Sequence, residues 1–144
     1  FEMQPSARLS WLVNENNTVW GSISRAVRTP NRVSQELSLA VAGFPGAFPT
    51  LVRQLGNDQN ESEELTAYEL GYRTQPVDNV NIDISLFYND YDTLASDSRG
   101  TPGLTADSYF GTYVQVPLNL GDNASGTTYG AELAVNWELA PNWM

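Results

Sequence analysis

The sequence predicts an all-β protein whose strands pair in an antiparallel, up-and-down order. Apolar residues alternate with polar or small ones along several stretches, which is the period-two pattern of strands with two different faces. These stretches are joined alternately by short turns rich in Asn, Asp and Pro and by much longer connections. Such alternation is typical of a transmembrane β-barrel segment, here with about five strands and two long extracellular loops.

The first predicted hairpin pairs Ser6–Val13 with Thr18–Arg28 across the Asn-rich turn Asn14–Asn17. A connection of unusual length follows over residues 29–62, and its proline and glycine content predicts mostly irregular structure. Within it, Leu51–Leu55 has the pattern of a short extended element. This connection is the first predicted long loop.

The second predicted hairpin pairs Glu63–Gln75 with Val80–Thr93 across the turn Pro76–Asn79. The second long loop is expected over residues 94–126. Its extended stretch TYVQVPLNL belongs either to this loop or to the strand that follows. The last predicted strand is Thr128–Trp137, whose alternate positions are apolar.

A third short turn is predicted at Ala140–Asn142, after an interval similar to the one between the first two turns. The chain opens on Phe1 rather than Met and stops soon after this turn, so we expect it to be a piece of a longer polypeptide. A membrane-spanning barrel needs about eight strands to close. Five strands are therefore expected to form an arc of a larger wall.

Composition excludes several classes of function. The chain has no Cys and no His, which excludes thiol catalysis, histidine general bases and the usual zinc sites. Seventeen acidic residues against seven arginines give a net charge of −10, which opposes a nucleic-acid partner. The adjacent carboxylates Glu63 and Glu64 point to opposite faces of a strand and cannot flank one bond. We therefore predict no catalytic residues, no metal site and no cofactor.

Two rows of different chemistry follow the second hairpin and the last strand. The apolar row carries no charge and consists of Tyr68, Leu70, Tyr72, Ile82, Ile84, Leu86, Tyr88, Leu133, Val135 and Trp137. The opposite row is polar and contains Glu69, Arg73, Asn81, Asp83, Ser85, Asn89, Glu132 and Asn136. An unpaired charge in a dry core costs several kcal/mol, so the polar row must face water or polar partners.

The pattern alone leaves open what the apolar row faces. In an outer-membrane barrel, it faces lipid and the polar row faces a wet lumen. In a soluble β-sandwich, it is buried in the core, and the tyrosines of such a module could bind carbohydrate. A passive porin-type barrel would carry the same two rows as a receptor barrel.

The tryptophans lie close to the short turns, as the aromatic belt of a barrel does at the membrane interface. They are Trp11, Trp20, Trp137 and Trp143. Trp20 differs from an ideal belt residue, because in this register it falls on the face predicted to point inward. In a soluble protein, tryptophans near hairpin ends would instead cap the core.

Four segments together resemble the TonB-dependent receptors of the Gram-negative outer membrane. They are SISRAVRTPNR (Ser22–Arg32), SEELTAYELGYRTQP (Ser62–Pro76), IDISLFYNDYDTL (Ile82–Leu94) and TYGAELAVNWELAPNW (Thr128–Trp143). Their order, with ELGYR before a turn, LFYNDYD after it and YGAEL on the next strand, is similar to the later part of such a barrel. Singly each segment is a weak signal, and jointly they are specific.

The resemblance implies a barrel of about 22 strands, with a plug domain in the lumen and a short TonB-contacting segment before the plug. On this interpretation, residues 1–144 contain part of the barrel domain and no plug. The implied function is active uptake of a scarce ligand, most often a ferric siderophore or other iron chelate, powered by the inner-membrane TonB complex. The implied partners are outer-membrane lipid, the plug, TonB and the iron chelate.

Arg28 is the candidate ligand-binding residue, because it stands where the second predicted strand gives way to the first long loop. It could bind an anionic ligand or a plug carboxylate, and the alternative is a structural pair with a loop acid. Most ligand contacts are expected from the long loops, Pro30–Asn60 and Ser96–Asn123, since loops combine exposure with freedom of sequence. Taken alone, the segment is expected to self-associate through its apolar face and unpaired edge strands.

Overall fold

The structure of the protein is a computed structural model that describes residues 2–139. About three quarters of these residues lie in strands. The elements are β1 (Ser6–Asn14), β2 (Asn17–Arg28), α1 (Arg32–Glu36), β3 (Ser38–Phe44), β4 (Thr50–Leu55), β5 (Glu63–Val77), β6 (Val80–Arg99), β7 (Gly103–Asp107) and β8 (Gly111–Trp137). Within the described range, no helix has the length and apolar character needed to cross a membrane.

The strands form one sheet in the order β1-β2-β5-β6-β8-β4-β3, and β7 also pairs with β8. The pairs β1/β2, β3/β4 and β7/β8 are antiparallel. Only the first was predicted, because β3/β4 and β7/β8 lie within the two stretches expected to be long loops. β4 differs, because Thr50–Leu55 pairs in parallel with residues 114–119 of β8. The sheet is open, with β1 and β3 at the ends of its strand order.

Both predicted hairpins form, and their strands are longer than the sequence pattern indicated. β1 and β2 meet across a turn in which the Asn14 side chain accepts a hydrogen bond from the Asn16 backbone N–H, at 3.0 Å. β6 was expected to end at Thr93 and instead continues to Arg99. Thr93 has φ 52°, a strained conformation for a β-branched residue, so the strand is locally distorted there without ending. The next glycine along the chain is Gly100, directly after the strand.

The first long connection contains three elements rather than one. The helix α1 begins where the Asn31 side chain accepts a hydrogen bond from the Ser34 backbone N–H at 2.8 Å, as an N-cap does. The predicted element Leu51–Leu55 is present as β4, and it forms a hairpin with β3. All seven residues of β3 are exposed, and the chain carries no charge between Glu36 and Arg53.

The second long connection is a strand hairpin. TYVQVPLNL belongs to β8, which confirms the second of the two expectations for this stretch. β7 and β8 are joined by a three-residue turn, in which the Asp107 carboxylate accepts hydrogen bonds from the backbone N–H groups of Tyr109 and Phe110 at 2.9 and 2.7 Å. Gly111 completes the turn at φ +64°, where a side chain would be strained. The predicted third turn, Ala140–Asn142, lies outside the described residues.

The described residues divide into two compact units. Unit 1 contains residues 2–27, 64–91 and 125–139, and unit 2 contains residues 28–63 and 92–124. Across residues 2–139, the buried hydrophobic side chains are Leu51 and Tyr113, and both belong to unit 2. Unit 1 therefore has no core of its own among the described residues.

Candidate functional surfaces

The predicted apolar row of unit 1 is open to solvent. Nine of its ten members are exposed, from 39% for Tyr72 to 66% for Leu133, and Ile82 is half-buried. The exposed members are Tyr68, Leu70, Tyr72, Ile84, Leu86, Tyr88, Leu133, Val135 and Trp137. All described strands belong to one sheet, so no second sheet covers this row within residues 2–139. The row is not the core of a β-sandwich in this structure.

Side-chain contacts and strand register show that the apolar row continues across neighbouring strands. The rings of Tyr68 on β5 and Tyr88 on β6 lie 6.3 Å apart between centroids. On β1 and β2, the pairing of Trp11 with Val19 and of Leu9 with Gly21 extends the same face. Leu9 and Trp11 are 78% and 67% exposed. Unit 1 thus presents a wide apolar surface that is not buried within unit 1.

The opposite face of unit 1 is held together by polar contacts between strands. The Arg73 Nε donates to the Asp83 Oδ2 at 2.8 Å, and the Arg73 Nη2 also binds this oxygen. The Ser22 hydroxyl donates to the Glu69 Oε2 at 2.7 Å. The Asn89 side-chain amide donates to the Thr128 hydroxyl at 3.2 Å. These contacts place members of the predicted polar row from different strands on one common face.

A shallow cavity of about 340 Å³ lies on this polar face. Its polar lining is contributed by Arg73, Asn81, Asp83 and Asn136. The structure therefore brings half of the predicted polar row together around one cavity. Of the remaining members, Ser85 is half-buried and Glu132 is exposed.

Aromatic rings cover two glycines on the polar face. A methyl group added to Gly71 would lie 2.1 Å from the Trp20 ring, so only glycine fits beneath this indole. The Arg8 guanidinium lies 4.0 Å from the centroid of the Trp20 ring. At Gly130, the same added group would lie 2.7 Å from the Phe87 ring. Each ring can occupy its position only because the facing residue on the neighbouring strand is a glycine.

The tryptophans divide between the two faces. Trp11 and Trp137 are 67% and 63% exposed on the apolar side. Trp20 lies on the polar face above Gly71, as the register predicted, and its indole N–H is buried with no hydrogen-bond partner among the described residues. Trp143 lies outside the described range. A belt along the apolar surface would therefore include Trp11 and Trp137 but not Trp20.

Arg28, the predicted ligand-binding candidate, is 76% exposed by side chain and lies in unit 2. Its Nη1 donates to the Glu63 Oε2 at 3.0 Å. The other oxygen of Glu63 accepts a hydrogen bond from the Ala95 backbone N–H at 3.2 Å. Arg28 borders a cavity of about 80 Å³ that is also lined by Glu61 and Asp122. This space has room for only a few water molecules and is too small for an iron chelate.

A cluster around Arg53 forms the centre of unit 2, and sequence reasoning did not identify it. The Arg53 Nη1 donates to the Tyr113 hydroxyl at 2.8 Å and lies 3.6 Å from the Asp107 Oδ2. The Arg53 Nη2 donates to the Ser38 hydroxyl at 3.0 Å. Tyr113 is only 1% exposed. The only sequence signal was an isolated charge at the end of a long uncharged stretch.

The hydrogen bond from the Phe110 backbone N–H is the main cause that lowers the pKa of the Asp107 carboxyl group below its usual value. Desolvation opposes it, and the Tyr109 N–H, the Tyr113 hydroxyl and the nearby Arg53 guanidinium add to the lowering. Asp107 therefore remains ionised at neutral pH and holds both the turn and the Arg53 cluster. Among residues 2–139, no group of three or more carboxylates is placed to hold a metal ion.

The fold is shared with solved receptor structures. The siderophore receptor PirA from Acinetobacter baumannii superposes with a TM-score of 0.72 at 21% identity, over 94% of this chain and 21% of that one. PirA from Pseudomonas aeruginosa gives 0.66 at 20% identity, over 96% and 25%. A mutant of the ferric enterobactin receptor PfeA from Pseudomonas aeruginosa, in complex with enterobactin, gives 0.72 at 23% identity, over 96% and 20%. No curated protein matches the chain.

These similarities show the fold, and the chain spans only about a fifth to a quarter of the length of the solved structures. They confirm the predicted fold class, an arc of an up-and-down β-barrel whose sheet is not closed. Residues 2–144 match the family described as TonB dependent receptor-like, beta-barrel. Members of this family are transport receptors rather than enzymes, and they are outer-membrane barrels of Gram-negative bacteria. The two-faced sheet of unit 1 and this match over nearly the whole length show that the chain belongs to the TonB-dependent receptor family, as a segment of its β-barrel.

Proposed function

We propose that this chain is part of the wall of an outer-membrane receptor that imports an iron chelate into a Gram-negative bacterium. The observation that carries the proposal is the two-faced sheet of unit 1, together with the family match. One face exposes an apolar row without charge, and the other face joins Arg73 to Asp83 and Ser22 to Glu69. A wall between lipid and a wet lumen needs both properties.

The apolar row is the lipid-facing surface in this proposal. Its tyrosines, leucines and isoleucines contact hydrocarbon, so their exposure in the isolated chain carries no penalty in the membrane. The polar row, including Glu69, Arg73 and Asp83, faces the lumen. There it contacts water and the plug domain of the full-length protein, which we place outside residues 1–144.

Ligand recognition is assigned to unit 2, which contains the first long connection and nearly all of the second. The ligand class is supported by the names of similar structures, which are siderophore and ferric enterobactin receptors. Energy for uptake comes from the TonB complex, acting through the plug. Arg28 remains a candidate contact only if a ligand displaces Glu63 from it.

Taken out of the membrane, the chain is expected to self-associate. The exposed apolar side chains of unit 1 form a row along neighbouring strands, unlike the scattered apolar residues of an ordinary soluble surface. The terminal strands β1 and β3 add open edges to which another chain can pair. Purified without detergent, the isolated chain should therefore elute as aggregates or higher oligomers.

The test uses the complete receptor gene, expressed in an iron-starved Gram-negative host that lacks its own receptors for the chelate. We expect the protein in the outer-membrane fraction and uptake of radioactive iron chelate that stops when TonB is deleted. Uptake that continues without TonB would indicate a passive pore. Recovery of the protein as a soluble monomer would contradict the wall assignment.

A further inference from the structure

Unit 2 has a charge balance that bears on the kind of chelate the receptor can accept. It contains four arginines and eight carboxylates, which leaves a formal charge of −4. The arginines are Arg28, Arg32, Arg53 and Arg99. The acids are Glu36, Asp58, Glu61, Glu63, Asp92, Asp97, Asp107 and Asp122.

Three of the four arginines are already neutralised by carboxylates. Arg28 pairs with Glu63 at 3.0 Å, Arg32 with Glu36 at 3.7 Å, and Arg53 lies 3.6 Å from Asp107. Arg53 also donates hydrogen bonds to Tyr113 and Ser38. At these three arginines, a bound anion would have to displace a carboxylate to gain a cationic partner, which leaves the exposed Arg99 as the one arginine of unit 2 without an ion pair described here. Unit 2 thus has few positive charges to offer and an excess of negative ones.

The exposed apolar side chains of unit 2 indicate a second property. Tyr109 is 92% exposed at the β7–β8 turn, with Phe110 beside it at 51%. Phe44 and Phe48, around the β3–β4 turn, are 57% and 54% exposed. These aromatic side chains bind through contact area and ring faces, so they need no charge on the ligand.

We propose that the receptor containing this chain selects an iron chelate without net negative charge, which it holds through aromatic and apolar contacts of unit 2. This inference rests on the proposed uptake function and narrows its substrate class. A net negative charge lowers the local concentration of an anion and slows its approach, whereas a neutral complex is unaffected. The similar structures named for ferric enterobactin therefore share the fold with this chain without predicting its ligand.

Two probes separate the charge classes. A ferric tris-catecholate, in which three doubly charged ligands surround trivalent iron, is a trianion. A ferric tris-hydroxamate, with three singly charged ligands, is neutral. Uptake of both is measured in cells that produce the complete receptor, with and without TonB. We expect TonB-dependent import of the neutral complex and slow import of the trianion.

Charge reversal at two exposed positions tests whether the excess negative charge of unit 2 is the reason for slow import of the trianion. The double variant Asp58→Lys, Asp97→Lys removes the excess negative charge of unit 2 without touching an ion pair described above. Import of the trianion at limiting concentration should rise about tenfold, and import of the neutral complex should not change. Glu15→Gln, on an exposed turn of unit 1, is the control and should leave both rates unchanged.

The outcomes distinguish this inference from the function on which it rests. TonB-dependent import of the trianion at a rate equal to or above that of the neutral complex would overturn the inference and leave the uptake function standing. A double variant that does not raise import of the trianion would overturn the inference in the same way. Failure of both complexes to enter in a TonB-dependent manner would overturn the proposed function itself.

Discussion

Unit 1 and unit 2 belong to the same chain but differ in how many hydrophobic side chains they bury. Unit 2 buries Leu51 and Tyr113 and fixes a central arginine among polar partners. Unit 1 buries no large hydrophobic side chain among the described residues and leaves both faces of its sheet open. The difference indicates that unit 1 takes its stabilisation from surroundings outside this chain, whereas unit 2 carries part of its own.

The largest expected effect comes from a charge on the apolar face of unit 1. Leu86→Arg should lower the free energy of unfolding of the complete receptor in phospholipid vesicles by about 2 to 4 kcal/mol, because the guanidinium must enter hydrocarbon. The measurement is a denaturant titration of the receptor folded in vesicles.

Ser85→Arg is the matched control for that substitution. Ser85 is the preceding residue on the same strand and points to the polar face, so its arginine should cost little. Equal losses for the two variants would show that the apolar face of unit 1 does not contact lipid.

The next effect concerns the packing within the polar face of unit 1. Gly71→Ala drives a methyl group into the Trp20 ring and should cost about 1 to 3 kcal/mol. The substitution should be better tolerated beside Trp20→Ala, and a double-mutant cycle measures this coupling. Gly126→Ala is the control, because nothing lies near the added methyl group there. Strictly additive losses at Gly71 and Trp20 would contradict the ring-over-glycine packing.

In unit 2, Tyr113→Phe removes the hydroxyl that accepts a hydrogen bond from Arg53. The expected loss is about 0.5 to 1.5 kcal/mol, since one buried polar contact is left unmade. Amide hydrogen exchange should become faster in β3 and β4 and stay unchanged in β1 and β2. Tyr129→Phe, on a tyrosine that is 78% exposed, should change neither region. Faster exchange throughout the chain would show that unit 2 has no separate stability.

The smallest effect is the pH dependence of the β7–β8 turn. Hydrogen bonds lower the pKa of folded Asp107, so its ionised form stabilises the turn above the unfolded pKa of about 3.9. This contribution is lost as the pH falls through the lower, folded pKa. Asp107→Asn should therefore accelerate amide exchange around the turn at neutral pH, with a difference that shrinks below about pH 4. A difference that grows on acidification would contradict this assignment.

Local sequence pattern was sufficient for the strands of unit 1. Period-two alternation located β5, most of β6 and the end of β8, and the short turns fixed the hairpins. The alternation of side chains between the two faces also correctly placed Arg73, Asp83 and Trp20 on the polar face. It could not decide what covers either face, because under the proposed function the covering is lipid or another part of the receptor, which the pattern of this segment does not encode.

Pattern was insufficient in unit 2, where pairing partners are distant in sequence. Arg53 and Tyr113 are 60 positions apart, and neither position carries a local signal of the contact. The glycines and the proline between Gly111 and Gly126 predicted a loop, yet β8 runs through them because β4 and β7 pair with it. Tertiary pairing overrides weak strand propensity in such cases. The parallel docking of β4 was not predictable for the same reason.

The uncharged strand β3 has a consequence for chains that fail to reach the membrane. Its seven residues include no charge and no proline, the residue types that prevent another strand from pairing with an exposed edge. In a chain that has not reached the membrane, β3 would be exposed to other copies of the chain, and strands of those copies could add to it and form amyloid-like fibrils. Val41, where the register with β4 shifts, is the position at which a single lysine would interrupt that growth with the least disturbance of the hairpin.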